Sequence, residues 1–191
     1  MPDDQSKVRS FNAILGDRPY ILILGTMPGV LSLERGRYYE DPRNCFWRLI
    51  SDVLEETEPK NYECRINMLK RRHIALWNVL RSCDRSGSLD KDICGEEHND
   101  IASLLDQTPT IRAICFNGRK TAEMYDKDER NQRRENLEYR LLPSSSGKLR
   151  KRFHEQRSQE WRALRQLLTE NPKPQVDGFE LRINVFHITE G

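Results

Sequence analysis

Four short apolar runs along the chain have the pattern of buried β-strands. They lie at residues 20–25, 74–79, 111–116 and 139–142. Continuous apolar residues, rather than alternating ones, are typical of strands that are covered on both faces of a sheet. The first run ends at Gly25, and Pro143 stops the last. The pattern therefore predicts the strands of a mainly parallel sheet.

Helical patterns separate these runs. Phe46, Ile50 and Val53 share one helix face, and Trp161 and Leu164 repeat that spacing in a long helix predicted after the fourth run. Further helices are predicted at about 61–72, 97–106 and 118–125. Alternating strands and helices predict an α/β fold, a three-layer α/β/α sandwich around a four-stranded, mainly parallel sheet.

The ends of these strands are where chemistry is expected. In such sheets, ligands bind outside the carboxyl ends of the strands. The segments that follow Gly25, Val79, Phe116 and Leu142 are therefore the candidates.

Two segments fit this pattern less well. Residues 126–136 are almost wholly charged or amide-bearing, which predicts a solvated loop. Residues 179–185 alternate between apolar and polar, which is consistent with an added edge strand. We expect a single domain over residues 1–171 and a C-terminal tail over 172–191, to which we assign no chemistry.

Composition narrows the class of protein. The chain has 191 residues with 32% charged, 36% hydrophobic and a net charge of +2, so bulk charge does not indicate a nucleic-acid partner. No apolar run approaches the roughly 20 residues of a membrane span, and the polar, mixed-charge N-terminus is unlike a secretory signal. Five scattered cysteines without a Cys-x-x-Cys pair favour reduced thiols in an intracellular protein over disulfides or a zinc site.

The loop after the first strand reads Gly25-Thr-Met-Pro-Gly29 and leads to Tyr38-Tyr-Glu-Asp-Pro-Arg-Asn-Cys-Phe-Trp47. It lacks the glycine spacing of a dinucleotide site and the Gly-Lys-Ser of a P-loop. Prolines at 28 and 42 favour a rigid loop that shapes a pocket. Simple turn chemistry is the alternative.

Polar groups follow two other strands. Asn78 closes the second run, where its amide can both donate to and accept from a ligand edge, or merely cap a turn. After the fourth run, residues 144–146 are serines, and four of the five residues after Gly147 are basic. Hydroxyls at a helix N-terminus with basic neighbours suit phosphate binding. The alternative is a capped, solvated helix.

Taken together and in this order, these motifs resemble the uracil-DNA glycosylase superfamily, and most closely its hypoxanthine-DNA glycosylase branch. There the first motif is similar to Gly-Ser-Met-Pro-Gly followed by Tyr-Tyr-x-x-Pro-Arg-Asn-x-Phe-Trp. The Leu142-Pro-Ser-Ser-Ser146 stretch and the Asn78–Ser88 segment resemble the mismatch-specific thymine/uracil glycosylases. The likeness runs from about residue 10 to residue 168.

The resemblance implies a monofunctional DNA glycosylase of base-excision repair that removes a flipped, deaminated base from double-stranded DNA. It implies Asn44 as the catalytic residue. Base-binding and DNA-binding residues are implied as well: Gly25, Met27, Tyr39 and Asn78 for the base, and Ser144, Ser145, Ser146, Gly147, Lys148, Leu149 and Arg150 for DNA. We expect no cofactor, no metal and no membrane association, and a monomer acting in an intracellular compartment that contains DNA.

Three positions depart from related branches. Met27 stands where the mismatch-specific branch has a catalytic asparagine, and Leu142 where several branches have histidine. Both agree with hypoxanthine rather than uracil as substrate. Asp41 stands where histidine is expected. A uracil or mismatch-specific glycosylase, a catalytically silent DNA-damage binding module and a flavodoxin-like nucleotide-binding protein are the alternatives. We expect structural or surface roles for the four histidines His73, His98, His154 and His187.

Overall fold

A computed structural model describes residues 7–89, 92–146 and 154–169 of the chain. Strands and helices alternate over most of this length. In chain order the elements are β1 (Val8–Arg9), β2 (Ile21–Gly25), α1 (Val30–Arg35), α2 (Phe46–Leu54), α3 (Tyr62–Arg71), β3 (Ile74–Asn78), β4 (Leu80–Asp84), β5 (Cys94–His98), α4 (Ile101–Gln107), β6 (Ala113–Asn117), α5 (Arg119–Asp126), β7 (Glu138–Leu142), α6 (His154–Arg162) and α7 (Leu164–Thr169).

The central sheet has four parallel strands in the order β3-β2-β6-β7. Its register pairs Gly25 with Asn78 and Asn117 with Leu142, so the carboxyl ends of all four strands meet at one edge. The four predicted strands and the parallel sheet are confirmed, with bounds that differ by one or two residues.

Helices cover both faces of this sheet. Successive side chains of a strand point to opposite faces, so Ile21 and Ile23 pack into one core and Leu22 and Leu24 into the other. Helices α2, α3, α6 and α7 contribute to the first core, while α4 and α5 contribute to the second. The predicted three-layer α/β/α sandwich is confirmed.

A second sheet was not predicted from the sequence. Strands β1, β4 and β5 form a three-stranded antiparallel sheet with β4 in the centre. The helix predicted over 97–106 is wrong at its start, because Glu97 and His98 belong to β5. Helix α4 begins only at Ile101, where the Asp100 side chain caps it by accepting from the backbone N of Ser103 at 3.1 Å.

The C-terminal part differs in two further details. The single long helix predicted after Pro143 is two helices, α6 and α7, separated at Ala163. Residues 126–136 are irregular apart from the last helical residue, as predicted, although Asn131 within them is buried. The proposed edge strand at 179–185 and the tail at 172–191 lie outside the described residues. No helix in the described part of the chain is long and apolar enough to cross a membrane.

Candidate active site at the carboxyl edge of the sheet

A cavity of about 740 Å³ opens at the carboxyl edge of the central sheet. This volume falls within the roughly 300–1,000 Å³ that is usual for ligand pockets. The last residues of β2, β3 and β6 and the loops after β2, β4 and β7 contribute to its wall. The described lining residues are Gly25, Thr26, Met27, Pro28, Gly29, Val30, Leu31, Ser32, Tyr38, Tyr39, Asp41, Arg43, Asn44, Asn78, Ser88, Leu89, Asn117, Ser144, Ser145 and Ser146.

Gly25, the last residue of β2, lies beneath two polar side chains. A Cβ atom at this position would meet the Asn78 Nδ2 and the Tyr39 hydroxyl, each at 2.9 Å. Real Cβ atoms essentially never lie within 3.0 Å of such atoms. A larger residue here would therefore displace the Asn78 amide or the Tyr39 hydroxyl.

The two adjacent tyrosines have different environments. Tyr38 is buried, its hydroxyl donates to the Asn12 carbonyl at 3.2 Å, and burial raises the pKa of the phenol. Tyr39 is half-buried and adopts a left-handed backbone conformation with φ of 54°. One face of its ring stacks on Phe46 with centroids 3.9 Å apart. Strained conformations of non-glycine residues often occur at functional sites, and this one places an aromatic ring in the cavity wall.

Asn44 lies where the loop enters helix α2. Its Oδ1 accepts a hydrogen bond from the backbone N of Phe46 at 3.0 Å. A backbone N–H can only donate, so this contact assigns the oxygen end of the amide. No described residue accepts from the Nδ2 end, although the residue lines the cavity. The geometry therefore leaves an amide donor for a ligand or a water molecule.

Asn78 is buried at the end of β3. Its Oδ1 accepts from the Ser10 hydroxyl at 3.1 Å, and its Nδ2 lies on the Gly25 side, as the Tyr39 hydroxyl does. The Asn99 side chain donates to the backbone carbonyls of Asn78 and Leu80, at 2.9 and 3.0 Å. These contacts hold the strand end, so the Asn78 amide is positioned before any ligand arrives.

Asn117, at the end of β6, was not assigned a role from the sequence. It is 9% exposed and its Nδ2 donates to the Tyr39 hydroxyl at 2.9 Å and to the Ser145 Oγ at 2.8 Å. Its Oδ1 accepts from the Ser145 backbone N at 2.8 Å. Asn117 thus ties the Tyr39 loop to the serine loop. The signal that could have found it is its place directly after the third predicted strand.

The serine loop after β7 divides into buried and accessible residues. Ser145 is fully buried, and its carbonyl accepts from the backbone N and the Sγ of Cys45 at 3.0 and 3.2 Å. Ser144 and Ser146 are only half-buried and are linked by a bond from Ser146 N to Ser144 Oγ at 3.2 Å. In this structure the bonds of the buried Ser145 hold the loop in place. Gly147, Lys148, Leu149 and Arg150 lie outside the described residues.

Met27 and Leu142, the two apolar residues that depart from related branches, lie in different parts of the structure. Met27 is buried at the cavity wall and packs in the second core, so it offers the pocket a thioether and no amide. Leu142 is buried in the first core and is not among the described lining residues. Thr26 carries the polar side chain of the Gly25–Gly29 loop, and its hydroxyl lies 3.0 Å from that of Thr121.

Among the described lining residues, Asp41 and Arg43 alone carry charge. Arg43 donates from Nε to Asp41 Oδ1 at 3.0 Å and from the second guanidinium nitrogen, Nη2, to Oδ2 at 2.7 Å. The Arg43 side-chain hydrogen bond lowers the pKa of the Asp41 carboxyl, so the acid is ionised at neutral pH. The rest of the described wall consists of neutral amides, hydroxyls, aromatic rings and apolar groups.

The described histidine side chains do not line the cavity. Within residues 7–89, 92–146 and 154–169, no group of three or more histidine, cysteine or acidic side chains is arranged to hold a metal ion. His73 stacks on Tyr20 with centroids 4.4 Å apart, and His98 lies 3.6 Å from an Asp128 oxygen. Neither is among the residues that line the cavity. The side chain of His154 and all of His187 lie outside the described residues.

Comparison with known proteins identifies a family that the chain matches. Residues 14–168 match the uracil DNA glycosylase superfamily. A protein of Methanosarcina acetivorans named hypoxanthine DNA glycosylase is 41% identical over 157 residues, which is 82% of this chain and 96% of that relative. A protein of Methanosarcina barkeri with the same name is 35% identical over 153 residues, or 80% and 94% of the two chains.

A solved structure is also similar. The solution NMR structure of a Methanosarcina acetivorans protein, provisionally assigned as a uracil DNA glycosylase, superposes with a TM-score of 0.72 at 40% sequence identity. The match covers 84% of this chain and 98% of that one.

Proposed function

Because the chain belongs to the uracil DNA glycosylase superfamily, we propose that it is a monofunctional DNA glycosylase that hydrolyses the N-glycosidic bond of a flipped, deaminated base, with hypoxanthine as the preferred base. One observation carries this proposal. The amides of Asn44 and Asn78 and the ring of Tyr39 line a single cavity at the carboxyl edge of the sheet. Such a set can hold a planar, neutral heterocycle by stacking and by hydrogen bonds to its edge.

The reaction needs electrostatic help more than proton transfer. As the bond to deoxyribose breaks, the sugar becomes positively charged and the base leaves with growing negative charge, which preorganised donors stabilise. Asn44 cannot take a proton at neutral pH, so we assign it the role of orienting water or the leaving base. The Nδ2 donor of Asn44, from which no described residue accepts, supports that role, since Oδ1 is already bonded to the helix.

Recognition of the base would depend on Asn78. Hypoxanthine and uracil present a carbonyl beside a ring N–H, whereas adenine and cytosine reverse that order of acceptor and donor. With Oδ1 held by Ser10, the Nδ2 of Asn78 is available to donate to that carbonyl, and Oδ1 keeps a second lone pair for the ring N–H. We therefore propose that Asn78 rejects adenine and cytosine by the order of its donor and acceptor.

Base stacking would depend on Tyr39. A flipped base pays a few kcal/mol for leaving the helix, and less when it is mispaired. Stacking on an aromatic ring returns roughly 1–3 kcal/mol. Phe46 behind the ring and Asn117 at its hydroxyl hold Tyr39 from two sides. A purine offers this ring more area than a pyrimidine, which supports hypoxanthine over uracil.

DNA would be held by the serine loop. We propose that Ser144 and Ser146 contact phosphates together with the basic run from Lys148, and that Ser145 positions them from below. Lys148 or Leu149 is proposed to fill the gap that the flipped base leaves. We further propose that the protein acts as a monomer on double-stranded DNA, in the compartment that contains DNA.

Excision from labelled duplexes tests the proposal. Duplexes that differ only in one base (hypoxanthine, uracil, xanthine or a thymine opposite guanine) are incubated with excess enzyme, and abasic sites are then cleaved with alkali. Single-turnover conditions keep slow product release from hiding the chemical step. We expect hypoxanthine to be released fastest. Uracil released at an equal or higher rate would overturn the assignment of the base, and no release of any base would favour a binding module.

A further inference from the structure

The turn that precedes Asn44 presents an arginine at the cavity wall. The backbone N of Asn44 donates to the carbonyl of Asp41 at 2.8 Å, which closes a β-turn with Pro42 at its second position. The Asp41 carboxylate accepts from the backbone N of Arg43 at 2.9 Å and from two nitrogens of the Arg43 guanidinium. The turn and the ion pair together hold the guanidinium in one orientation.

One edge of this guanidinium is left for a ligand. Nε and one terminal nitrogen of Arg43 bind Asp41, while no described residue accepts from the other terminal nitrogen. A guanidinium offers parallel donors on each edge, and a phosphate is a matching bidentate acceptor. The side chain of Arg43 is 80% exposed and that of Asp41 is 31% exposed, so an approaching anion meets the cation first.

The position of the turn indicates which phosphate of the DNA Arg43 would contact. Arg43 is adjacent in sequence to Asn44, and both line the cavity together with Ser144 and Ser146. The neighbouring Cys45 bonds the serine loop through Ser145. A nucleotide with its base in the cavity would therefore have its own backbone between the serine loop and Arg43.

We propose that Arg43, positioned by Asp41, binds a phosphodiester group of DNA beside the flipped nucleotide. This inference rests on the proposed function and gives the aspartate at position 41, where histidine is expected, a role. The carboxylate orients the guanidinium for the phosphate.

The chain contains a matched control. Asp128 and Arg130 repeat the same arrangement, with bonds of 3.1 Å from the Arg130 backbone N to Oδ1, 2.9 Å from its Nε to Oδ1 and 2.7 Å from its Nη2 to Oδ2. That pair is not among the residues that line the cavity. Arg130→Gln therefore removes a similar ion pair and an equal charge outside the cavity wall, together with a longer bond of 3.5 Å from Nη2 to the His98 carbonyl.

The experiment measures the salt dependence of DNA binding. The probe is a duplex with a tetrahydrofuran abasic-site analogue, which cannot be cleaved, and an unmodified duplex serves as the reference. Each phosphate contact adds about 0.9 to the slope of log affinity against log salt concentration. One contact therefore weakens binding about 3.5-fold when salt rises from about 50 to about 200 mM. For Arg43→Gln we expect the slope on the abasic duplex to fall by about 0.9, while Arg130→Gln keeps it.

The outcomes separate this inference from the proposed function. An Arg43→Gln slope equal to that of Arg130→Gln would overturn the contact, and an equal loss on the unmodified duplex would overturn its place beside the flipped nucleotide. Because the probe is not cleaved, these results stand whether or not the wild-type protein excises any base.

Discussion

Replacement of Asn117 by alanine tests whether the strand ends act as one unit. The change removes three hydrogen bonds, two from Nδ2 to Tyr39 and Ser145 and one from the Ser145 backbone N to Oδ1. It also leaves the N–H of the fully buried Ser145 without its acceptor. The two Nδ2 bonds contribute roughly 0.5–1.5 kcal/mol each and the stranded Ser145 N–H costs roughly 1–3 kcal/mol, so we expect a loss of about 2–6 kcal/mol in unfolding free energy.

Excision should fall by more than the loss of stability explains. Without Asn117 the Tyr39 ring and the serine loop lose their common support, and a misplacement of about 1 Å can lower a rate by about 10²-fold. We expect at least a tenfold lower single-turnover rate in protein that is still folded. Asn117→Asp should restore part of it, since its carboxylate can accept from the Ser145 N–H and from both hydroxyls.

Urea unfolding and single-turnover excision measure the two effects, with Asn131→Ala as control. Asn131 is also buried, but its Nδ2 makes one long bond, 3.4 Å to the Tyr125 carbonyl, and its Oδ1 has no partner among the described residues. Its replacement should lower stability by less and leave excision unchanged. The reasoning is refuted if Asn117→Ala costs no more stability than Asn131→Ala and excises at the wild-type rate.

Three further predictions concern Asn44, Gly25 and His98. Asn44→Ala should lower the single-turnover rate by about 10²-fold or more, the scale for one oriented donor. Asn61→Ala is the control, because it removes a similar bond away from the cavity, from the Glu63 N to the Asn61 Oδ1 at 2.8 Å. It should lower the unfolding free energy by about 1 kcal/mol and leave the excision rate unchanged. Equal excision rates in the two variants would remove Asn44 from catalysis. Gly25→Ala should keep the fold and weaken excision by displacing the Asn78 amide or the Tyr39 hydroxyl. Circular dichroism checks the fold, and the excision assay checks the rate. Unchanged excision would contradict the close approach of these side chains to Gly25. Burial lowers the pKa of His98, so its contribution to stability is present above about pH 6.5 and is lost as pH falls through the folded-state pKa. Urea unfolding at pH 8 and pH 5 should show a smaller pH dependence for His98→Gln than for the wild-type protein, and an equal dependence would contradict this origin.

The sequence by itself was sufficient for the central sheet and for much of the cavity. Strands such as β2 are continuous apolar runs, and that signal lies within five or six residues. The convergence of Gly25 and Asn78 followed as well, because parallel strands bring their carboxyl ends to one edge. These features depend on local pattern and on one general rule of sheet geometry.

Only the tertiary structure decided the second sheet and the connections around the cavity. Residues 94–98 read Cys-Gly-Glu-Glu-His, with no apolar alternation, and they form β5 because β4 supplies hydrogen-bonding partners. Asn117 looks like a turn residue before a glycine, yet its partners Ser145 and Tyr39 are 28 and 78 positions away. The burial of Ser145, in a loop whose composition resembles an exposed phosphate clamp, has the same origin. Hydrogen bonds between distant segments form only after the chain has packed, so their donors and acceptors leave no periodic trace in the sequence.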